Sequence, residues 1–228
     1  MATLLPRVNP SPIGSAARIA ALTDAISTAR LSTYLRHSHG NARRALELYE
    51  WNIGAGAAMY PILHMNEVAL RNAINRALVS QFGADWPYAQ GFLRSLPGME
   101  RTTFEKCLRK LEANLHSPRV STDDVVAGQT YWFWVLLLTA RYDQRIWARE
   151  FGRSFPFAPS RIDRELMHGR ADTVRRLRNR IAHWEPLLDV DLVGAYQRAA
   201  SVVRWTSPAT AEWMAERWPL PPEVLARP

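Results

Sequence analysis

Apolar side chains recur at helical spacing along most of the chain. Between residues 17 and 37, the apolar residues lie three to five positions apart, as expected for one face of an α-helix; they are Ile19, Leu22, Ile26, Leu31 and Leu35. The same periodicity predicts further helices at about 41–82, 99–115, 121–151, 160–184, 190–205 and 208–218. No alternating run of useful length predicts a strand. We therefore predict an all-α fold, a bundle with long central helices and short C-terminal helices.

Glycine and proline positions set the expected boundaries of these helices. Gly40 ends the first helix and Gly83 the second, while Pro61 predicts a kink within the second. Residues 1–16 contain prolines without periodicity and predict a flexible arm, and residues 219–228 predict an irregular tail. The chain between them, residues 17–218, is predicted to form a single helical domain.

The net charge of the chain indicates a class of binding partner. The formal net charge is +8, which favours an anionic partner such as nucleic acid. Residues 161–183 alone hold seven arginines and three acidic residues. A helix with this charge is also common as a plain solvated face, and the scarcity of lysine, present only at 106 and 110, equally fits a bias in genome composition.

Several function classes lack their characteristic residues in this chain. There is no Gly-rich phosphate loop, no nucleophile elbow, no His-Glu-x-x-His pair and no acidic cluster for magnesium. Cys107 is the single cysteine, so no internal disulfide is expected. The sequence therefore predicts neither a metal site nor a cofactor.

The start of the chain and its apolar runs indicate the cellular compartment in which the protein is expected. The most apolar run, residues 131–140, is about half as long as a helix that spans a bilayer. Because this run is apolar on every side, we predict that it is buried at the centre of the helical bundle. No secretory signal is recognised in residues 1–15, so we expect a cytoplasmic protein without a membrane segment.

One segment carries the most specific pattern in the sequence. Residues 177–186 read Leu-Arg-Asn-Arg-Ile-Ala-His-Trp-Glu-Pro. This segment resembles the Arg-x4-His motif of HEPN domains, with Asn directly after Arg, and more closely the form found in Abi-like (abortive-infection) proteins. The resemblance extends through residues 45–52 and 66–74 and the Phe133-Trp134 stretch, and covers most of roughly residues 31–187.

The resemblance implies a HEPN-like helical bundle with endoribonuclease activity. Such an enzyme needs no metal; it acts in phage defence, or as a toxin that halts growth of its own cell. The ribose 2′-hydroxyl attacks the adjacent phosphate, and the products are a 2′,3′-cyclic phosphate and a free 5′-hydroxyl. In this chain His183 is the implied general base or acid, Arg178 braces the phosphate, and Asn179 orients His183 or the phosphate.

Helix geometry bears on how the two key residues cooperate. Residues 178 and 183 are five apart, so they point about 140° away from each other at ~100° per residue, whereas Asn179 and His183 share a face. Either the long arginine reaches around the helix, or a second copy of the chain supplies the partner. HEPN nucleases use the second arrangement, so the resemblance implies a homodimer with a composite active site and RNA as substrate, with an antitoxin or inhibitor as a further partner.

Residues around the motif are assigned supporting roles. The family pattern indicates that Glu67, Arg71 and Asn72 on the second helix, together with Glu185, hold the motif helix; an ordinary ion pair between Glu67 and Arg71 is the alternative. The candidate RNA contacts are Arg175, Arg176, Arg180 and Trp184. Trp184 either stacks on a base or packs against its own helix.

Two other interpretations remain open at this stage. Arg178 pairing with Glu185 or Glu67, and Asn179 pairing with His183, would form a polar network that only fixes helix packing. The chain would then be a non-catalytic HEPN module that binds RNA or a protein partner, or a purely structural helical scaffold. Glu185 also stands two places after His183, where some HEPN toxins carry a tyrosine that a partner nucleotidyltransferase modifies, so control by that route is not expected.

Overall fold

The computed structural model describes residues 14–228, and every regular element in this range is helical. This confirms the all-α prediction; the more specific HEPN-like form stays a prediction. The α-helices are α1 (Ala16–Ile26), α2 (Thr28–His37), α3 (Ala42–Phe82), α4 (Gln90–Leu93), α5 (Gly98–Asn114), α6 (Thr122–Gly128), α7 (Tyr131–Leu136), α8 (Ala148–Ser154), α9 (Arg164–Ala182), α10 (Leu192–Thr206), α11 (Pro208–Arg217) and α12 (Pro222–Leu225). None of the helices in the described part of the chain is both long enough and apolar enough to cross a membrane.

The chain divides into two compact units. The first comprises residues 14–58, Arg180–Val190 and Leu220–Pro228, and the second comprises Met59–Asn179 and Asp191–Pro219. Helices α3 and α9 each contribute residues to both units. Neither unit is one continuous stretch, and the single domain expected over residues 17–218 stays a prediction.

The two ends of the chain were predicted to be irregular. Most of the expected N-terminal arm, up to residue 13, lies outside the described residues. The C-terminal tail differs from the prediction because it contains α12, one helical turn that begins at Pro222. The fixed φ of proline suits the first position of a helix, which explains why a turn starts there.

The first unit has a small core built around α2 and the start of α3. Its buried side chains are Leu31, Tyr34, Ala45, Leu46, Leu48 and Leu188. The single helix predicted over residues 17–37 is wrong, because Ser27 divides it into α1 and α2. Ser27 has a φ of 79°, and its hydroxyl accepts a hydrogen bond from the backbone N–H of Arg30 at 3.2 Å. A serine that caps the following helix in this way ends the preceding one.

The core of the second unit is aromatic. Trp86, Phe92, Phe104, Phe133 and Trp134 are all buried, with ring centroids between 4.8 and 6.4 Å apart. Residues 131–138 are buried apart from position 132, which confirms the prediction that this apolar stretch lies at the centre. Edge-to-face pairs predominate in the cluster, the arrangement that aromatic rings favour.

The long helix predicted at 121–151 is wrong, because the structure breaks it into shorter segments. The side chain of Thr130 accepts a hydrogen bond from the backbone N–H of Phe133 and starts α7. The hydroxyl of Thr139 donates to the carbonyl of Leu136 at 2.8 Å beyond the end of that helix. A 3₁₀ turn at Ala140–Tyr142 and a π-helical turn at Asp143–Trp147 then lead into α8. Apolar periodicity continues across these breaks, so it does not reveal them.

Helix α9 carries the Arg-x4-His segment. It begins where the Asp163 carboxylate accepts a hydrogen bond from the backbone N–H of Leu166 at 2.9 Å, a normal N-terminal cap. Its buried side chains follow helical spacing: Met167, Ala171, Val174, Leu177 and Ile181. The charged residues between them therefore lie on the remaining face of the helix.

Candidate active site

Arg178 lies on the part of α9 that belongs to the second unit. Its side chain is 49% exposed, and its Nε is 3.9 Å from the Oε2 of Glu67 on α3. This separation is too long for a hydrogen bond, so the contact is a loose ion pair. None of the Arg178 N–H donors is hydrogen bonded to another described residue. The guanidinium is thus oriented by one carboxylate and keeps its donors for a ligand.

Asn66, directly before Glu67, anchors this part of α3. It is fully buried; its Nδ2 donates to the carbonyl of Ala199 at 3.0 Å, and its Oδ1 accepts from the hydroxyl of Tyr131. Burial raises the pKa of Tyr131, and the nearby negative charge of Glu67 adds to the effect. The phenol therefore stays neutral and keeps donating to Asn66. Asn66 has polar neighbours in the sequence, His64 and Glu67, so its sequence context does not indicate this buried role.

Asp172 pairs with two of the arginines predicted to bind RNA. Its carboxylate lies 2.7 Å from Nη2 of Arg175 and 2.6 Å from Nη2 of Arg176, and only 14% of its side chain is exposed. Burial raises the pKa of Asp172, but the hydrogen bonds from Arg175 and Arg176 outweigh it and hold the pKa below its usual value. Arg175 also lies 5.0 Å above the ring of Trp132. Arg175 thus has structural partners, while Arg176, with 75% of its side chain exposed, keeps free surface.

The other supporting residues on α3 behave differently from one another. In the described part of the chain Glu67 pairs with Arg178 and not with Arg71, so the intrahelical pair proposed as an alternative does not form. The Nε of Arg71 is enclosed and has no hydrogen-bond partner among the described residues, and Asn72 is exposed. The oxygen of Asn75, one turn further, accepts from the indole N–H of Trp86 at 2.8 Å, which holds α3 against the aromatic core.

His183 lies in the first unit, directly after the last residue of α9. The backbone N–H of Trp184 donates to the carbonyl of Ile181 at 3.0 Å, and the N–H of Glu185 donates to the carbonyl of Arg180 at 2.8 Å. Trp184 has a φ of 59°. These contacts form a Schellman motif, in which His183 is the C-cap and Trp184 takes the left-handed position usually filled by glycine. The helix therefore ends close to His183, as predicted, and the His183 side chain is exposed.

The segment after His183 is held by contacts within the first unit. The side-chain oxygen of Asn52, a buried residue on α3, accepts from the backbone N–H of Leu187 at 2.6 Å. A guanidinium N–H of Arg30 donates to the carbonyl of Trp184. The Trp184 ring itself is 64% exposed. The backbone beside His183 is thus fixed, while the His183 and Trp184 side chains are left facing solvent.

Arg180 and Glu185 form an exposed ion pair, with 3.3 Å between Nε and Oε2. The pair joins the last turn of α9 to the last residue of the Schellman motif. An exposed pair of this type contributes little to stability. Glu185 therefore pairs with Arg180. The sequence predicts Arg180 only as an RNA contact.

The candidate residues thus fall into two sets, one in each unit. The second unit contains Glu67, Arg178 and the two arginines that pair with Asp172. The first unit contains Arg180, His183, Trp184 and Glu185. Asn179, at the end of the first stretch of the second unit, is half-buried. Within residues 14–228, no group of three or more His, Cys, Asp or Glu side chains is arranged to hold a metal ion.

Comparison of the chain with protein-family models, with curated proteins and with solved structures finds no match in any of the three. A function is therefore inferred from the chemistry of these residues and from the resemblance of residues 177–186 to the Arg-x4-His motif of HEPN domains.

Proposed function

We propose that this chain is a metal-independent HEPN-type endoribonuclease that acts in the cytoplasm, in phage defence or as a toxin. One observation supports it above the others. On and just after α9, Arg175, Arg176 and Arg180 are paired with carboxylates by contacts of 3.3 Å or less, whereas Arg178 and His183 are exposed and have no hydrogen-bonded partner among the described residues. Helix packing therefore leaves available both residues that the motif assigns to catalysis.

The proposed reaction is an internal transfer at phosphorus. His183 takes the proton of a ribose 2′-hydroxyl, whose oxygen bonds to the adjacent phosphorus as the bond to the 5′-oxygen breaks. A second acid returns a proton to the departing 5′-oxygen, so the products are a 2′,3′-cyclic phosphate and a 5′-hydroxyl end. Arg178 stabilises the negative charge that builds on the phosphoryl oxygens, and Asn179 orients the reacting groups.

The second acid is proposed to come from another copy of the chain. The sequence spacing of residues 178 and 183 corresponds to a divergence of about 140° on a regular helix, which favours a second copy as the source of the second acid. In a homodimer, two such helices provide two histidines, one to accept and one to donate a proton. Glu67 and Glu185 take part by holding Arg178 and Arg180.

Cleavage of total RNA in the presence of EDTA tests the proposal. We expect the parent chain to produce 5′-hydroxyl ends, and His183→Asn and Arg178→Gln each to lower the cleavage rate by at least about 100-fold, as for removal of a catalytic proton donor or of a charge-stabilising group. His116→Asn and Arg109→Gln are matched controls, since both residues are exposed and lie outside the proposed site. No cleavage by the parent, or equal loss in the controls, contradicts the proposal.

The oligomeric state is a separate test of the composite site. Mixing parent chains with an excess of His183→Asn chains should lower the activity of the parent chains, because each mixed dimer contains only one of the two histidines that the site requires. Gel filtration at micromolar concentration should show a dimer. A strict monomer that still cleaves RNA contradicts the dimer but not the nuclease.

The alternative is a non-catalytic HEPN module that binds RNA or a protein partner. The exposure of Arg176 and of the Trp184 ring favours it, because an arginine and an aromatic face bind single-stranded RNA without cleaving it. Binding that weakens steeply with salt, without 5′-hydroxyl ends, identifies this alternative. Copurification of a second polypeptide that suppresses cleavage would identify the antitoxin or inhibitor that a toxin requires.

A further inference from the structure

A cavity of about 770 Å³ opens between the N-terminal half of α9 and α10 in the second unit. Its size falls within the range of small-molecule sites. All of its lining residues except Leu166 are polar, charged or glycine: Glu165, His168, Gly169, Arg170, Thr173, Gly194, Gln197 and Arg198. None of them belongs to the Arg-x4-His motif.

The two arginines of this cavity have few partners. Arg170 donates one hydrogen bond, to the hydroxyl of Ser201 at 3.3 Å, and its guanidinium lies 5.0 Å above the ring of Trp205. Arg198 approaches Asp191 at 3.6 Å, which is beyond hydrogen-bond distance, and its enclosed Nε has no partner among the described residues. Each guanidinium has five N–H donors, so most of the donors of this pair are left unused.

The positive charges also lie close to one another. Burial lowers the pKa of Arg170, and the guanidiniums of Arg198 and Arg161 lower it further. The carboxylates at this site are those of Glu165, which is exposed, and Asp191, which is 67% exposed. Arg170 and Arg198 are only half exposed. Water therefore screens the two acids more than it screens the two arginines.

We propose that this cavity binds a phosphate group carried by a nucleotide-sized ligand. A terminal phosphate brings close to two negative charges, a strand phosphodiester brings one, and either offers several acceptor oxygens that match two guanidiniums better than a single carboxylate does. The side chains of Gln197 and His168 offer further donors. The remaining volume accommodates the rest of a nucleotide, supplied either by a free nucleotide or by one residue of a nucleic acid strand.

Arg170, Arg198 and Gly169 are the positions at which the proposal is tested. Isothermal titration of the full chain with inorganic phosphate, ATP and a short single-stranded DNA provides the affinities; the DNA lacks a 2′-hydroxyl and is not cleaved. Arg170→Gln and Arg198→Gln should each weaken binding of ATP by at least about tenfold, the usual effect of losing a charged hydrogen bond. Arg109→Gln, an exposed arginine on α5, is the matched control.

Gly169→Leu blocks the cavity without removing charge. No atom lies within 4 Å of a Cβ built at Gly169, and leucine is a better helix former than glycine, so this variant should fold at least as well as the parent. It should nevertheless weaken ATP binding by tenfold or more. Thermal unfolding of every variant separates loss of binding from loss of structure.

The outcomes are distinct. ATP binding that all three variants weaken supports a free nucleotide as the ligand, and DNA binding that they weaken in the same way, without ATP binding, supports a strand phosphate. Absence of binding by every probe at millimolar concentration overturns the proposal. Binding by Gly169→Leu that equals binding by Arg109→Gln also overturns it, because the ligand then lies outside the cavity. RNA cleavage does not enter this test, so the proposal stands or fails independently of the nuclease.

Discussion

At the scale of single residues, Trp184 departs from ordinary backbone preference directly beside the candidate catalytic histidine. Its φ of 59° lies in the left-handed region, where a bulky side chain costs on the order of 1 kcal/mol or more. Its ring is 64% exposed, so packing against this chain does not compensate that cost. The hydrogen bonds of the Schellman motif hold this backbone in place, and the exposed ring beside His183 is left available to a ligand, which the motif proposal takes to be RNA.

Trp184→Gly should separate stability from function. Glycine removes the strain, so we expect the free energy of unfolding to rise by up to about 1 kcal/mol. The affinity for single-stranded RNA should fall about 5- to 10-fold, because base stacking on an aromatic ring is lost. Denaturant unfolding and RNA titration measure the two effects. His116→Gly, also exposed and with a φ of 52°, should raise stability without changing RNA affinity; a Trp184→Gly variant with unchanged affinity would assign Trp184 to packing alone.

At the scale of elements, α9 is organised by pairs of side chains three and four residues apart. Asp172 joins Arg175 and Arg176 in this way, and these contacts hold its pKa below the usual value in spite of burial. A carboxyl whose pKa is lower in the folded chain stabilises that chain fully above its unfolded pKa of about 3.9, and this contribution is lost as the pH falls through the folded pKa. The paired face of α9 is therefore acid-sensitive.

Asp172→Asn should lower the free energy of unfolding at pH 7 by about 1–3 kcal/mol, because two charged hydrogen bonds are lost from a largely buried group. Between pH 5 and pH 2 the parent should lose more stability than the variant. Denaturant titrations at several pH values measure both. Asp24→Asn, an exposed aspartate on α1, should leave the pH dependence as in the parent, and parallel curves for the parent and Asp172→Asn would contradict the assignment.

The elements also show which parts of this structure the sequence could predict. Apolar spacing located α3, α5, α9, α10 and α11 to within a few residues, because their buried faces are continuous. It failed at Ser27 and Thr130, where a single hydroxyl caps a new helix without interrupting the apolar pattern. Asp172 pairs with Arg175 and Arg176, while Arg178 stays exposed. This outcome depends on the side-chain rotamers in the folded structure. Sequence spacing leaves several such pairings open.

At the scale of the whole molecule, the first unit depends on contacts between distant parts of the chain. Leu188 belongs to its core, and the carbonyl of Leu188 accepts a hydrogen bond from Arg227 at 2.6 Å. Val224 on α12 is also buried. The last residues of the chain thus help to hold the segment that contains His183.

Removal of residues 220–228 should destabilise the first unit by roughly 2–4 kcal/mol, the sum of a buried valine and a hydrogen bond. Hydrogen exchange should rise most at residues 180–190, and thermal unfolding should occur at a lower temperature. Arg227→Gln in the full chain, which removes only the hydrogen bond, should cost about 1 kcal/mol. Unchanged exchange at residues 180–190 in the truncated chain would show that the tail does not hold this segment.

The division of the first unit into three separated stretches has a consequence during synthesis. Translation delivers residues 14–58 well before Arg180–Val190, and Leu220–Pro228 follow only after residues 191–219. A polypeptide interrupted at residue 219 therefore already contains every residue of the Arg-x4-His segment, but lacks the Arg227 contact that holds Leu188. If the chain is the nuclease proposed above, the contact that holds the His183 segment forms only after that segment has been made, so a product interrupted at residue 219 should hold it less firmly.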